Sequence, residues 1–411
     1  MTHPKMRYTY VGVDSHKDTH TAVFMDCFFE KLGELKCGNL SSDFERFFEK
    51  SLLLQQPGTT LFFGMEDTSN YGRALTVFLK EKGQAIKHVN AFLVAGERKK
   101  QTVTQKTDSI DALCAARVLL SNLGELPNAE TDDRLWILRT MVTRREFLVK
   151  GNSAVKNHLH TLVMHHYPNF RELFPTIDSD TSLAFLKYYP SPSALENTSL
   201  MDLTCFFKDV SKGKIGEVKA RKVLDTLQNT TVIFQEIRDE AVRSAVERIE
   251  ANNAEIGKLE ADLEVFLDQF NCTLTSMNGI DTVCAAQILS QIGDIRRFPT
   301  PAKLARYAGI APVEYSSGKK EKKHSNQRGN RELNTLFHML AVRMVASLGR
   351  SGQMMNPFFY EYHRRKISEG KTKRQALKCV QRRLVNIIWT MLTNNEDYVN
   401  PPMFDLGKEE K

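Results

Sequence analysis

"RYTYVGVDSHKDTHTAVFMD", residues 7–26, reads as two adjacent strands joined by a polar turn. Tyr8, Tyr10, Val11 and Val13 form one short run and Ala22, Val23 and Phe24 another, rich in the β-branched and aromatic types that favour extended backbone. Asp14 ends the first run. Moving outward, "TTLFFGMED" (59–67) is a third apolar, aromatic run and closes on Glu66. "YGRALTVFLKEKG" (71–83) has helical spacing and stops at Gly83, and "AIKHVN" (85–90) is another short strand. A helix follows from near Asp108. Strands mixed with helices over residues 1–130 predict an α/β domain.

From Asp132 the pattern turns helical. "LWILRTMVTRREFLVKGNSAVKNHLHTLVMHH" (135–166) repeats apolar residues every three or four positions. Residues 175–215 are less regular and contain Pro190 and Pro192. A second long helix is expected from about Val232 to Phe270. Its seam of Val242, Val246, Ile249, Ile256, Leu259, Leu263, Phe266 and Phe270 keeps most of a coiled-coil alternation, with Asn253 on it. A hairpin packed within one chain and a coiled coil bridging two chains both satisfy that pattern. Residues 131–271 therefore form a helical, coiled-coil region. A third segment, 272–400, opens with "MNGIDTVCAAQILSQIGDIRRF" (277–298), which resembles a helix-hairpin-helix turn leading into a small-residue helix. Such turns offer backbone N–H groups to phosphate, although Asp281 stands where a second glycine is usual.

The chain has 411 residues, 41% of them hydrophobic and 26% charged, as expected of a folded protein of two or three domains. No apolar run approaches the roughly 18 residues of a membrane span, and the N-terminus shows no signal-peptide core. Seven cysteines without a CxxC pair argue against a disulfide framework or a zinc ribbon and fit a reducing cytosol. The net charge of +8 is uneven. Between Arg296 and Arg383 there are 21 Lys and Arg against 5 Asp and Glu, a net of +16, while the remainder is net −8. A basic C-terminal block of this kind is a footprint of phosphate-backbone binding, with a solvated basic surface as the plainer reading.

The carboxylates come next. "KTDSIDALCAARVLL" (106–120) places Asp108 and Asp111 at i and i+3, on one helical face. Helix capping and the helix dipole would account for both. Asp14 and Glu66, however, end two predicted strands, and strand ends of an α/β sheet are where reactive groups gather. Four acids converging there would suit one or two Mg²⁺ ions, with Mn²⁺ as a substitute, and the shared cation would relieve their mutual repulsion. In this order "YVGVDSHKD", "FFGMED" and "KTDSIDA" resemble the RuvC-like branch of the ribonuclease H fold.

The second informative stretch is "RYAGIAPVEYSSGKKEKKHSNQRGNRELNTLFHMLA" (306–341). Lys319, Lys320, Lys322 and Lys323 flank a Ser-Ser-Gly, and Arg328 and Arg331 frame "RGNR" ahead of an amphipathic helix. The glycine lets backbone approach a ligand, and the cations would bind a phosphodiester. A lysine-rich surface loop is the alternative reading. Together with "LRTMVTRREFLVKGNSAVKNHLH" and "IGDIRRFPTPAKLARYAGIAPVEYSSG…RGNREL", these motifs resemble the IS110 insertion-sequence family of DEDD transposases across nearly the whole chain. The resemblance implies a RuvC-like domain whose metal ligands are Asp14, Glu66, Asp108 and Asp111. It also implies a Y-x-S-G nucleophile at Ser317, with Ser316 in the variable position, that forms a phosphoserine link to DNA. A bridge RNA would guide donor and target DNA in a cytoplasmic, nucleoid-associated tetramer built as a dimer of dimers. Two other readings remain: a RuvC-like junction endonuclease that uses the acids without the serine, and a nucleic-acid-binding protein without catalysis.

Overall fold

The computed structural model describes residues 3–66, 70–100, 105–129, 131–225, 234–317, 320–324, 329–348 and 353–399, with 313–317, 320–324, 347–348 and 353 by their backbone. Its N-terminal elements are β1 (Tyr8–Ser15), β2 (Thr19–Met25), β3 (Lys31–Gly38), α1 (Ser41–Leu54), β4 (Thr60–Glu66), α2 (Arg73–Glu81), β5 (Ala85–His88), α3 (Ala91–Arg98) and α4 (Asp108–Ser121). They build one five-stranded sheet in the order β3-β2-β1-β4-β5. β2 runs antiparallel to β1 and β3, whereas β4 is parallel to β1 and β5 parallel to β4. This mixed α/β sheet is consistent with the expected RuvC-like fold.

Alternation along β1 decides what lies on each side. Val11 and Val13 pack with Phe44 and Phe47 of α1 and Leu75 and Leu79 of α2. Tyr10 faces the other way, into a core with Val94 of α3 and Cys114, Ala115, Ala116 and Leu119 of α4. On that second face Gly12 of β1 pairs with Gly64 of β4. A Cβ at Gly12 would stand 2.0 Å from the Ala112 carbonyl oxygen and 2.3 Å from the Ala116 nitrogen. The missing side chain, opposite an alanine-rich helix face, is what lets α4 lie against the sheet. Because the obstructing atoms are backbone, Gly12→Ala is expected to cost about 3 kcal/mol or more. Thermal denaturation should show a drop in Tm of roughly 10 °C; an unchanged Tm would mean that α4 does not pack this closely.

The chain divides into two compact units, Met1–Trp136 with Gly293–Lys303 and Ile137–Ile292 with Leu304–Lys411. Across and within the second run α5 (Asp133–His166), α6 (Phe170–Leu173), α7 (Asp180–Tyr188), α8 (Leu200–Val210), α9 (Glu217–Asp225), α10 (Gln235–Leu267), α11 (Thr282–Ile292) and α12 (Pro301–Tyr307). They are followed by the hairpin β6 (Val313–Ser317) and β7 (Lys320–His324), then α13 (Arg331–Val345), α14 (Pro357–Ser368) and α15 (Lys373–Asn394). No described helix is long and apolar enough to cross a membrane.

The first half of the expected seam on α10, Val242 to Asn253, is met from within the chain. Arg145 pairs with Glu260 at 2.6 Å and Asn152 Nδ2 donates to Asn253 Oδ1 at 2.7 Å. Leu159 and Val163 share a core with Val242, Val246 and Ile249. Those pairings run antiparallel and describe α5 packed on α10 within one chain. Before α11 the chain passes from α10 through the 3-10 turns Asp268–Phe270 and Leu274–Ser276 to the expected glycine turn. Gly279 adopts φ +99°, a left-handed backbone that glycine tolerates. Asp281 accepts from the Cys284 N–H at 2.8 Å as the cap of α11 and binds Arg343 at 2.9 Å, and Arg343 also donates to the Gly279 carbonyl. The carboxylate in the unusual position is thus engaged in local structure.

Candidate active site

The sheet register brings the first two acids together. Parallel pairing sets Asp14 beside Glu66, two residues beyond the Gly12–Gly64 pair and on the same face, toward α4. α4 begins at Asp108, so its first turn reaches the same strand ends. Its cap is Thr107, whose hydroxyl accepts from the Ile110 N–H at 3.3 Å. That observation answers the capping reading: neither aspartate supplies the cap, although both sit favourably for the helix dipole. Asp14 and Asp111 are buried, at 8% and 6% exposure, while the Asp108 side chain is half-exposed. All four expected acids, Asp14, Glu66, Asp108 and Asp111, therefore belong to one unit and one corner of it.

Their electrostatics are those of crowded carboxylates. Burial pushes Asp14 up to about 6, with Asp111 and Asp108 adding to the rise and His16 opposing it. Burial likewise pushes Glu66 up to about 7, reinforced by Asp14 and Asp111 and opposed by Arg98 and Lys106. Among the described residues, the buried Glu66 Oε2 has no hydrogen-bond partner. A buried carboxylate oxygen left unpaired among other acids is a costly arrangement unless something cationic belongs there. The donor set, carboxylate oxygens with one imidazole close by, fits a hard divalent cation such as Mg²⁺ or Mn²⁺.

Two residues here were not singled out from sequence. His16, in the turn after β1, sets Nδ1 3.6 Å from Asp14 and Nε2 4.0 Å from Asp108. Asp14, His16 and Asp108 each offer a ligand atom within 4.8 Å of the others. Its position two residues past a strand-ending aspartate was the available signal. Arg98, the last residue of α3, pairs with Asp111. Nothing local marks it, because thirteen residues separate the partners and α3 itself was not expected.

The raised carboxylates set a pH dependence. A group whose folded-state pKa lies above its unfolded value stabilises the fold at low pH and loses that contribution as pH rises through the folded value. The window here runs from about pH 4 to about pH 7. Without metal, Tm should fall by roughly 5 °C between pH 5 and pH 8. Saturating Mn²⁺, which selects the ionised acids, should reverse that slope. Melting curves across this range with and without Mn²⁺ measure both; a flat metal-free profile would remove the argument from burial.

The serine region belongs to the second unit. Ser317 is the last residue of β6 and pairs with Lys320, the first of β7, so this stretch is a hairpin where a loop was the alternative. Lys322 and Lys323 also lie on β7, and Arg331, exposed, begins α13. Gly318, Lys319 and Arg328 fall outside the described residues. The base of the hairpin is clasped. A Cβ at Gly329 would meet the Gly309 nitrogen at 2.3 Å, and the Asn330 N–H donates to the Tyr307 carbonyl at 2.7 Å. Asn330 also caps α13, and Asn334 donates to the Ala308 carbonyl at 2.8 Å. "RGNREL" and "RYAGIAP" thus form one structural knot, which a reading of their charge alone did not show.

Comparison with known proteins agrees with this arrangement. A model described as "Transposase IS116/IS110/IS902 family" matches residues 271–356, and a DEDD transposase model of the IS110 type matches residues 11–168. The chain is 25% identical over 404 residues to the insertion element IS116 uncharacterized 44.8 kDa protein of Streptomyces clavuligerus, covering 96% of each. It is equally 25% identical to the insertion element IS110 uncharacterized 43.6 kDa protein of Streptomyces coelicolor, covering 95% of each. A pilin gene-inverting protein of Moraxella bovis is 32% identical over 127 residues, 30% of this chain and 37% of that protein.

Proposed function

Because this chain belongs to the IS110 family of transposases, we propose that it is an RNA-guided recombinase that joins DNA strands through a phosphoserine intermediate. The observation that carries the catalytic half is the register pair Asp14–Glu66 closed over by Asp108 and Asp111 of α4. Those four side chains, with His16 beside them, would hold the divalent cation. When bound, such an ion polarises the phosphodiester and offsets charge developing on the attacking and leaving oxygens.

Ser317 supplies the nucleophile in this reading. Its Oγ–H bond gives way to an Oγ–P bond, one P–O ester bond of the strand breaks, and the proton ends on the released strand hydroxyl. The ester energy is kept for rejoining to a new end, where water attack would lose it. A serine hydroxyl needs cationic surroundings for this, and Lys319, Lys320, Lys322, Lys323, Arg328 and Arg331 supply them in the sequence around it. Sequence choice comes from a bridge RNA pairing with donor and target DNA, while the basic C-terminal block holds backbones without reading bases. Function divides as residues 1–130 for the metal site, 131–271 for the coiled-coil region and 272–400 for the serine and DNA. The working assembly is a tetramer, a dimer of dimers, in the nucleoid of the cytoplasm.

One observation favours a second reading. The acids are complete within the first unit, which is all that a RuvC-like junction endonuclease needs. Wild-type protein with its co-purified RNA, Mg²⁺ and end-labelled DNA, resolved on a denaturing gel, distinguishes them. The recombinase reading expects a detergent-resistant protein–DNA adduct; cut DNA without any adduct establishes the endonuclease.

A further inference from the structure

Asp111 is the most enclosed of the paired acids, and its partner is a guanidinium. The Arg98–Asp111 pair leaves the Asp111 side chain 9% exposed and that of Arg98 25% exposed. Little water competes for it, so it is stronger than a surface pair. Arg98 sits at the C-terminal end of α3, where a cation is favoured by the helix dipole. It also acts on Glu66, opposing the rise that burial and the neighbouring acids cause. Arg98 is therefore a permanent internal cation in a corner that collects negative charge. Its bond to Asp111 Oδ1 takes one of that oxygen's acceptor sites, and its charge opposes a second cation there.

We propose that Arg98 competes with the divalent cation for Asp111 and, once released, binds a phosphate of the DNA strand. The inference rests on the reading of the four acids as a divalent-cation site. The guanidinium fork matches two phosphate oxygens as it matches a carboxylate, so leaving Asp111 does not leave Arg98 without a partner. The exchange couples the two ligands. Nucleic acid at the strand ends draws Arg98 off Asp111 and raises affinity for the cation, and the cation in turn raises affinity for nucleic acid. Before DNA arrives, the ion pair keeps the acids from holding the cation at full strength.

The test uses the full chain. Mn²⁺ binding is measured by electron paramagnetic resonance of free Mn²⁺, without nucleic acid, for wild type, Arg98→Gln and Arg98→Lys. Arg98→Gln should bind Mn²⁺ roughly tenfold more tightly, the scale of one charge-assisted hydrogen-bonded pair, and Arg98→Lys should fall between. In a second arm, anisotropy of a labelled DNA duplex is followed in saturating Ca²⁺. There Arg98→Gln should bind more weakly, with a logarithmic salt slope smaller by about one. Opposite signs in the two arms are what a merely structural arginine does not produce. Equal or weaker Mn²⁺ binding by Arg98→Gln overturns the competition, and an unchanged duplex affinity and slope overturns the phosphate role. Should Arg98→Gln fail to fold, Arg98→Lys decides both arms. Wild type that takes up no Mn²⁺ would instead sink the metal reading, a separate failure.

Discussion

Asp14→Asn is expected to abolish DNA cleavage, by at least about 10³-fold, while raising the Tm of the metal-free protein. The two effects share one cause. Asp14 is 8% exposed, lies beside Glu66 in the sheet and has Asp111 and Asp108 near enough to push its pKa up. Near pH 7.5 the folded protein must keep that carboxylate ionised in a place that resists it, so a neutral group of the same shape removes a burden. Glu66 benefits too, since Asp14 is among the causes of its own rise. The amide, however, offers a cation a weaker, uncharged oxygen and cannot replace the carboxylate in the site. Melting curves without metal and cleavage assays with Mg²⁺ report the opposite movements. An Asp14→Asn protein that cuts DNA normally would refute the site, and one that melts lower without metal would refute the account of its electrostatics.

Ser317→Ala should eliminate the covalent protein–DNA adduct altogether, with RNA binding kept. A methyl group cannot form the Oγ–P bond, and no partial substitute exists in alanine. The backbone register Ser317–Lys320 and the clasp of Gly309, Gly329 and Asn330 at the hairpin base do not involve the hydroxyl. The fold around it should persist, which the RNA-binding arm checks. Ser316→Ala is the companion variant and should keep the adduct. Adduct formation by Ser317→Ala would move the nucleophile elsewhere; cleavage at wild-type rate without an adduct in either protein would leave the endonuclease reading standing.

Much of the fold was legible in the sequence where burial is two-sided or periodic. β1, β2, β4 and β5 are short apolar runs, and α4, α5 and α10 carry clear helical spacing. β3 was not, because "KLGELKCG" is an edge strand mostly half-buried, without a clean alternation. α1 was missed although Ser41, Ser42 and Asp43 open it; the cap position itself is Leu40, which makes no side-chain hydrogen bond. The "RGNR" motif was read for its charges, whereas its Gly329 and Asn330 are engaged in packing against 307–309.

From local pattern alone, the chain specified two strands ending in Asp14 and Glu66, a helix opening with Asp108 and Asp111, and a serine among lysines. Those are statements about nearest neighbours in the chain, which propensity and spacing encode. That Asp14 stands opposite Glu66, that Thr107 rather than an aspartate caps α4, and that Arg98 takes Asp111 were decided only by the tertiary structure. Sheet register and the approach of α4 over Gly12 and Gly64 follow from burying both faces of β1 at once, a condition spread over more than a hundred residues that no local stretch contains.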